Sequence, residues 1–223
     1  MKPVFSRVQL WWRLSRSQRV IVGERSFSIP PGVLDPVLFR SGAWFAEYVY
    51  AHVCQRTEPT RLLDLGTGSG VVGVLAQSAG AAVVGIDIDP RAVAAARQNG
   101  LKDVRAGDLF DPVPNERFDL ICWNPPYFPA RKQRPWSADR RLRTALYGGD
   151  DLAIIRRFAD QVGQYLTPEG AAWLLWTDRA PPIEPLVGTG WTRITEATVH
   201  AGDGQGGERL SVWEWSNRSI ETS

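Results

Sequence analysis

Four consecutive residues, Asn124-Pro125-Pro126-Tyr127, combine what is needed to hold a flat –NH₂ group. The Asn124 side-chain oxygen and the Pro125 carbonyl can each accept one hydrogen from a planar nitrogen. Two prolines fix φ and hold those acceptors still, which lowers the ordering cost of positioning. Tyr127 adds a ring face on which a planar amide or base can stack. An amide nitrogen or aromatic amine is a poor nucleophile, because its lone pair is delocalised into the adjacent π-system. Carbonyl oxygens nearby offset the positive charge that such a nitrogen gains as it attacks, so no general base is required. Alone, Asn-Pro-Pro is also a strand terminator, and its setting decides between the two readings.

A glycine-rich turn supplies that setting. In Asp64-Leu-Gly66-Thr67-Gly68-Ser-Gly70 the glycines permit positive φ and let a ligand approach the backbone without Cβ interference. A helix beginning near Ser69 presents free N–H groups. Asp87 follows Gly66 by 21 residues at the end of the next strand, where a carboxylate can accept two hydrogen bonds from ribose hydroxyls. Ile88 lies beside it. Gly68-Ser-Gly70-Val-Val-Gly73 also satisfies the dinucleotide pattern, so the turn alone leaves NAD open. Asp64 favours S-adenosylmethionine: an anion there faces a cationic amino group well and would repel a pyrophosphate. Asp108, after the third strand of the domain and followed by Leu109, is placed to accept from an adenine amine. Strand-end turn chemistry is the plainer reading of any single one of these acids. Their order along the chain favours the cofactor.

These residues need a scaffold that brings strand ends together. The pattern predicts an α/β, Rossmann-like, seven-stranded and mostly parallel sheet, with helices on both faces and a C-terminal antiparallel hairpin. Strands are expected at 61–65, 82–88, 103–106, 118–123, 171–176, 191–199 and 210–215. Helices are expected from the Gly turn to about Ala79, from Asp89-Pro90 to Asn99-Gly100 with Asp89 as cap, and over 181–188. Apolar residues Ile154, Ile155, Phe158, Val162 and Leu166 predict a further helix over 151–166, closed by Pro168 and Gly170. A hairpin at 19–29 and a helix at 39–53 precede the sheet. The expected division is an N-terminal extension covering the cofactor site (1–55), a catalytic domain (56–217) and a disordered tail (218–223).

Composition narrows the class. The chain has 223 residues, 43% hydrophobic and 22% charged, with a net charge of +2, which argues against disorder and against nucleic-acid binding by overall charge. Cys54, Cys122, His52 and His200 stand at no metal-ligand spacing, so no metal is expected. No apolar run reaches the ~18 residues of a membrane span. Residues 1–25 carry six basic side chains against Glu24, a composition that overlaps with transit peptides, yet Trp11 and Trp12 suit a folded extension and a cytoplasmic protein is expected. The stretch 128–149 carries Arg131, Lys132, Arg134, Arg140, Arg141 and Arg143 against Asp139. That gives either a basic rim at the acceptor pocket or a solvated loop, with Trp136 able to stack on a base or to pack the loop down.

Taken together, the chain resembles a class I S-adenosylmethionine-dependent methyltransferase of the NPPY group. It is most similar to the HemK-type enzymes that methylate the glutamine amide of peptide-chain release factors. Besides the segments above, Gly85-Ile-Asp87, Gly107-Asp-Leu-Phe110, Phe118-Asp-Leu-Ile121, Ala145-Leu-Tyr-Gly-Gly149 and Leu166-Thr-Pro-Glu-Gly170 carry the resemblance, which covers roughly residues 61–176. Ile29 to Asp35 loosely resembles the Pro-containing lead-in over the cofactor. The resemblance implies that Gly66, Gly68, Gly70, Asp87 and Asp108 line the cofactor and that Asn124 to Tyr127 hold the acceptor. It implies a release-factor-like protein substrate ahead of nucleic acid. Short members depend on a small activator subunit, which leaves room for one here. Adenine or guanine amino groups in RNA or DNA, and small molecules, stay open as acceptors.

Overall fold

The computed structural model describes residues 15–128, 146, 148, 150–200 and 207–216. The basic stretch after Phe128, the link at 201–206, most of the basic N-terminal stretch and the tail expected at 218–223 lie outside the described residues.

Two antiparallel strands, β1 (Gln18–Val22) and β2 (Arg25–Ile29), form a separate hairpin turning at Gly23. Helix α1 (Ser41–Gln55) follows. It starts two residues later than the sequence pattern predicts, because Arg40 has φ 47°, which no α-helix accommodates. The sheet strands are β3 (Arg61–Leu65), β4 (Ala82–Asp87), β5 (Asp103–Ala106) and β6 (Phe118–Trp123). They are completed by β7 (Leu166–Thr177), β8 (Thr192–His200) and β9 (Gly207–Ser216). Helices α2 (Val71–Ser78), α3 (Pro90–Gln98), α4 (Ala153–Gln161) and the short α5 (Glu184–Val187) connect them.

The seven strands run in the order β5-β4-β3-β6-β7-β9-β8. The first five pair parallel, and β9 pairs antiparallel with both β7 and β8. Both faces are covered, so the central strands are mostly apolar and split their side chains between two cores by alternation. Leu62, Val83, Leu120 and Cys122 face the core shared with α1, α2, α3 and the hairpin. Leu63, Leu65, Val84, Ile86, Ile121 and Trp123 face the other core, shared with α4 and α5.

The predicted helix over 151–166 is corrected. Residues 150–152 form a 3₁₀ turn, α4 ends at Gln161, a second 3₁₀ turn spans Val162–Tyr165, and Leu166 already begins β7. Pro168 and Gly170 therefore lie within a strand rather than beyond a helix. Two contacts explain this. A Cβ on Gly163 would lie 2.7 Å from the Trp215 ring, so the chain passes close over that ring where α4 gives way to the 3₁₀ turn. Beyond it, Thr167 Oγ1 donates to Asp119 Oδ1 at 3.0 Å and Leu166 pairs with Phe118, drawing the chain onto β6. The register shifts between Phe118 and Leu120, and this irregularity is where a strand accepts a proline.

The topology places the motifs. From β3 the chain winds outward to β5, then returns to the other side of β3 as β6. Adjacent parallel strands whose connections depart in opposite directions leave a crevice at their carboxyl ends. Leu65 pairs with Trp123 there, so the residues next in sequence, Gly66 and Asn124, flank the same crevice.

Candidate active site

The turn after β3 depends on its glycines. Gly66, Gly68 and Gly70 have φ of 60°, 57° and 83°, the left-handed region that disfavours any Cβ. Thr67 N–H donates to Ile86 O at 2.9 Å, fastening the turn to β4. Asp64 Oδ2 accepts from Thr67 Oγ1 at 2.6 Å and from Gly73 N–H at 3.0 Å, bracing the turn against α2. Burial pushes the Asp64 carboxyl up to about 7, against the opposing pull of those two hydrogen bonds, and the nearby Asp87 charge adds to the rise. Asp87 is also raised, chiefly by burial, although its oxygens accept from Gly68 N–H and Asp89 N–H, each at 2.9 Å. Asp89 caps α3 by accepting from Arg91 N–H at 2.9 Å.

These elements enclose a cavity of about 370 Å³, a volume typical of small-molecule and cofactor sites. Asp64, Gly66, Thr67, Gly68, Asp87, Ile88, Asp108, Leu109, Asn124 and Pro126 all line it. Ile88 is 55% exposed, an apolar side chain left without cover at the cavity wall. Gly70 stands outside the lining: a Cβ there would lie 3.0 Å from Ala96, so that glycine serves the approach of α2 to α3. Pro125 and Tyr127 also lie outside it and line a second, smaller cavity of about 20 Å³ with Leu34, Phe39 and Leu146. Asn124 borders both cavities.

The Asn124 carboxamide makes no hydrogen bond among the described residues, and Gly42 at the start of α1 leaves the space beside its Nδ2 clear. Tyr127 is held on several sides. Its hydroxyl hydrogen-bonds the Ser41 side chain, and burial pushes its phenol up to about 12, so it stays protonated. Its ring meets Phe128 and Trp176 edge-on, with centroids 5.0 and 6.0 Å apart.

Several lining residues are not singled out individually by the sequence, though Val33 and Leu34 fall in the Pro-containing lead-in segment. Val33, Leu34, Pro36 and Phe39 reach the cavity from the segment ahead of α1, which buried Asp35 shapes by accepting from Val37 and Leu38 N–H at 2.9 Å each. From α4 come Ile154 and Arg157, and Arg157 Nη2 donates to Asp108 Oδ2 at 2.9 Å. The spacing of Ile154 and Arg157 is helical, but nothing in the sequence says which core that face meets. Among the described residues no cluster of three or more His, Cys, Asp or Glu is placed to hold a metal, and no helix is long and apolar enough to cross a membrane.

The family model described as Methyltransferase small domain matches residues 47–188, well over half of the chain. The chain belongs to this methyltransferase family. A release factor glutamine methyltransferase of Geobacter sulfurreducens is 37% identical over 125 residues, spanning 51% of this chain and 43% of that protein. A ribosomal RNA small subunit methyltransferase C of Alcanivorax borkumensis is 32% identical over 134 residues, spanning 58% and 36%. The chain thus spans less than half the length of both curated relatives. In fold it is similar to an S-adenosylmethionine-dependent methyltransferase from Agrobacterium tumefaciens, with a TM-score of 0.60 and 16% identity over 91% of this chain and 70% of that one.

As a methyltransferase domain the chain takes S-adenosylmethionine as its cofactor, and the cavity fits it. The left-handed glycines leave backbone free to approach a ligand, Asp64 puts a carboxylate into the wall, and apolar surface beside Asp87 and Asp108 suits a nucleoside.

Proposed function

We propose that this chain is an N-methyltransferase acting on a planar sp² nitrogen, and that its acceptor is the side-chain amide of a protein glutamine, as in a release factor. The observation that carries this reading is the Asn124 carboxamide, unpaired among the described residues and bordering the large and the small cavity. When bound, S-adenosylmethionine supplies an electrophilic methyl group on a sulfonium. The turn at Gly66 to Gly68, with Asp64 beneath it, holds the cationic end. Asp87 takes the ribose hydroxyls, and Ile88, Asp108 and Leu109 take the adenine. Asn124 Oδ1 and the Pro125 carbonyl accept the two amide hydrogens and aim the nitrogen at the donor, while Pro126 and the anchored Tyr127 keep that bend stiff. Residues 30–42, within the 1–55 extension, cover the site and 56–217 carry the chemistry.

The second cavity, about 20 Å³, has room for about one water, so either acceptor requires its lining to move and the smaller carboxamide requires less. Similarity to a glutamine methyltransferase supports the same choice. The likeness to a ribosomal RNA methyltransferase supports the second reading, an exocyclic amine of adenine or guanine. A small activator subunit belongs to the first reading, and so does a cytoplasmic setting.

The test is transfer of labelled methyl to cell extract, with the product divided between protease and nuclease. The proposal expects label that protease releases and that hydrolysis yields as N5-methylglutamine. Label released by nuclease instead would establish the nucleobase reading.

A further inference from the structure

Arg157 belongs to none of the motifs, yet it lines the cofactor cavity. It lies one turn after Ile154 on the same face of α4, so the two enter the cavity together. Its Nη2 donates to Asp108 Oδ2, joining α4 to the loop after β5 across 49 positions of sequence. The backbone on that loop is fixed by other means. Leu109 is buried in the left-handed region at φ 44°, and Asp108 O accepts from Asp111 N–H at 3.0 Å. What remains free is rotation of the Asp108 carboxylate, and among the described residues Arg157 is what restrains it. With side chains 49% and 34% exposed, the pair contributes little to folding stability. Its effect falls instead on the orientation of the cavity-lining Asp108 carboxylate, whose Oδ1 makes no hydrogen bond among the described residues.

We infer that Arg157 is a positioning residue that selects the purine of the cofactor. By holding Asp108 Oδ2 it leaves Oδ1 as a fixed acceptor for an exocyclic amine, so hypoxanthine held in the same position would set its 6-oxo group against that oxygen. The inference rests on the proposed placement of adenine beside Asp108.

The experiment is calorimetric titration of S-adenosylhomocysteine and S-inosylhomocysteine into the unaltered protein, Arg157→Leu and Arg157→Lys. A hydrogen bond to a charged group predicts about 30-fold preference for the adenosyl ligand in the unaltered protein. Arg157→Leu should reduce that preference to within several-fold, and Arg157→Lys should restore most of it. A merely structural Arg157 would weaken both ligands alike and keep the preference, which would overturn the inference. No preference in the unaltered protein, with S-adenosylhomocysteine still bound tightly, would overturn it while leaving the cofactor assignment standing. If the unaltered protein bound neither ligand, both would fall.

Discussion

Asp64 shows how one carboxylate serves structure and ligand together. Its Oδ2 braces the glycine turn through Thr67 and Gly73, while its place in the cavity wall lets a cation approach. In the unliganded protein its pKa is raised from 3.8 to about 7, chiefly by burial. Between those values the folded protein keeps a proton that the unfolded chain releases, which favours folding. That contribution is complete below the unfolded value and is lost as pH rises through 7. For Asp64 alone, going from pH 6 to pH 8 therefore costs about 1.4 kcal/mol, or about 3 °C in melting temperature, while half-buried His52, whose pKa burial lowers, acts in the opposite sense. Asp64→Asn should abolish that drop. Thermal unfolding at the two pH values checks this, and an undiminished drop in the variant would assign the effect to other groups. At this scale the gathering of Asp64, Asp87 and Asp108 in one cavity wall was legible, since their order at successive strand ends places them at the same edge of the sheet. Arg157 was not, because its role depends on where α4 docks.

Elements decide which glycine does what. Gly66, Gly68 and Gly70 look equivalent as sequence, and all three are left-handed, yet Gly70 serves packing between α2 and α3 rather than the cavity. Gly70→Ala combines a strained backbone at φ 83° with a Cβ 3.0 Å from Ala96. Strain of this kind costs about 1–3 kcal/mol, so melting should fall by about 5 °C while S-adenosylhomocysteine affinity stays within several-fold. Loss of binding with unchanged melting would instead put Gly70 at the ligand. Among the strands, β3 and β6 begin and end where the sequence predicts, because mostly apolar runs between turn residues mark strands of the sheet centre, and the short edge strand β5 also keeps its predicted bounds. The 151–166 segment misled for a physical reason. Apolar residues at helical spacing continue through Val162 to Leu166, but periodicity does not register the crossing of Gly163 over Trp215 or the pull of Asp119 on Thr167.

At the scale of the molecule, strand order turns two distant segments into one site. The return of the chain to β6 beside β3 sets Asn124 next to the glycine turn, 58 positions away in sequence but on the directly paired strand in space. Alternating strands and helices announced this architecture. The wall contributed by Val33, Leu34, Pro36 and Phe39 was legible only as a segment lying over the site, since those residues carry no chemistry that a spacing rule recognises. The covered slot behind Asn124 arises from the same assembly: Leu34 and Phe39 meet Leu146, Pro125 and Tyr127 there. The central claim is that Asn124 grips the acceptor while the rest of the cavity holds the donor. Its most direct test compares Asn124→Ala with the unaltered protein in both kcat for labelled methyl transfer and Kd for S-adenosylhomocysteine. Losing a preorganised hydrogen-bonding group at the reacting atom predicts a fall in kcat of about 100-fold or more with Kd kept within several-fold. Undiminished turnover, or a loss of cofactor affinity as large as the loss of turnover, would contradict that claim.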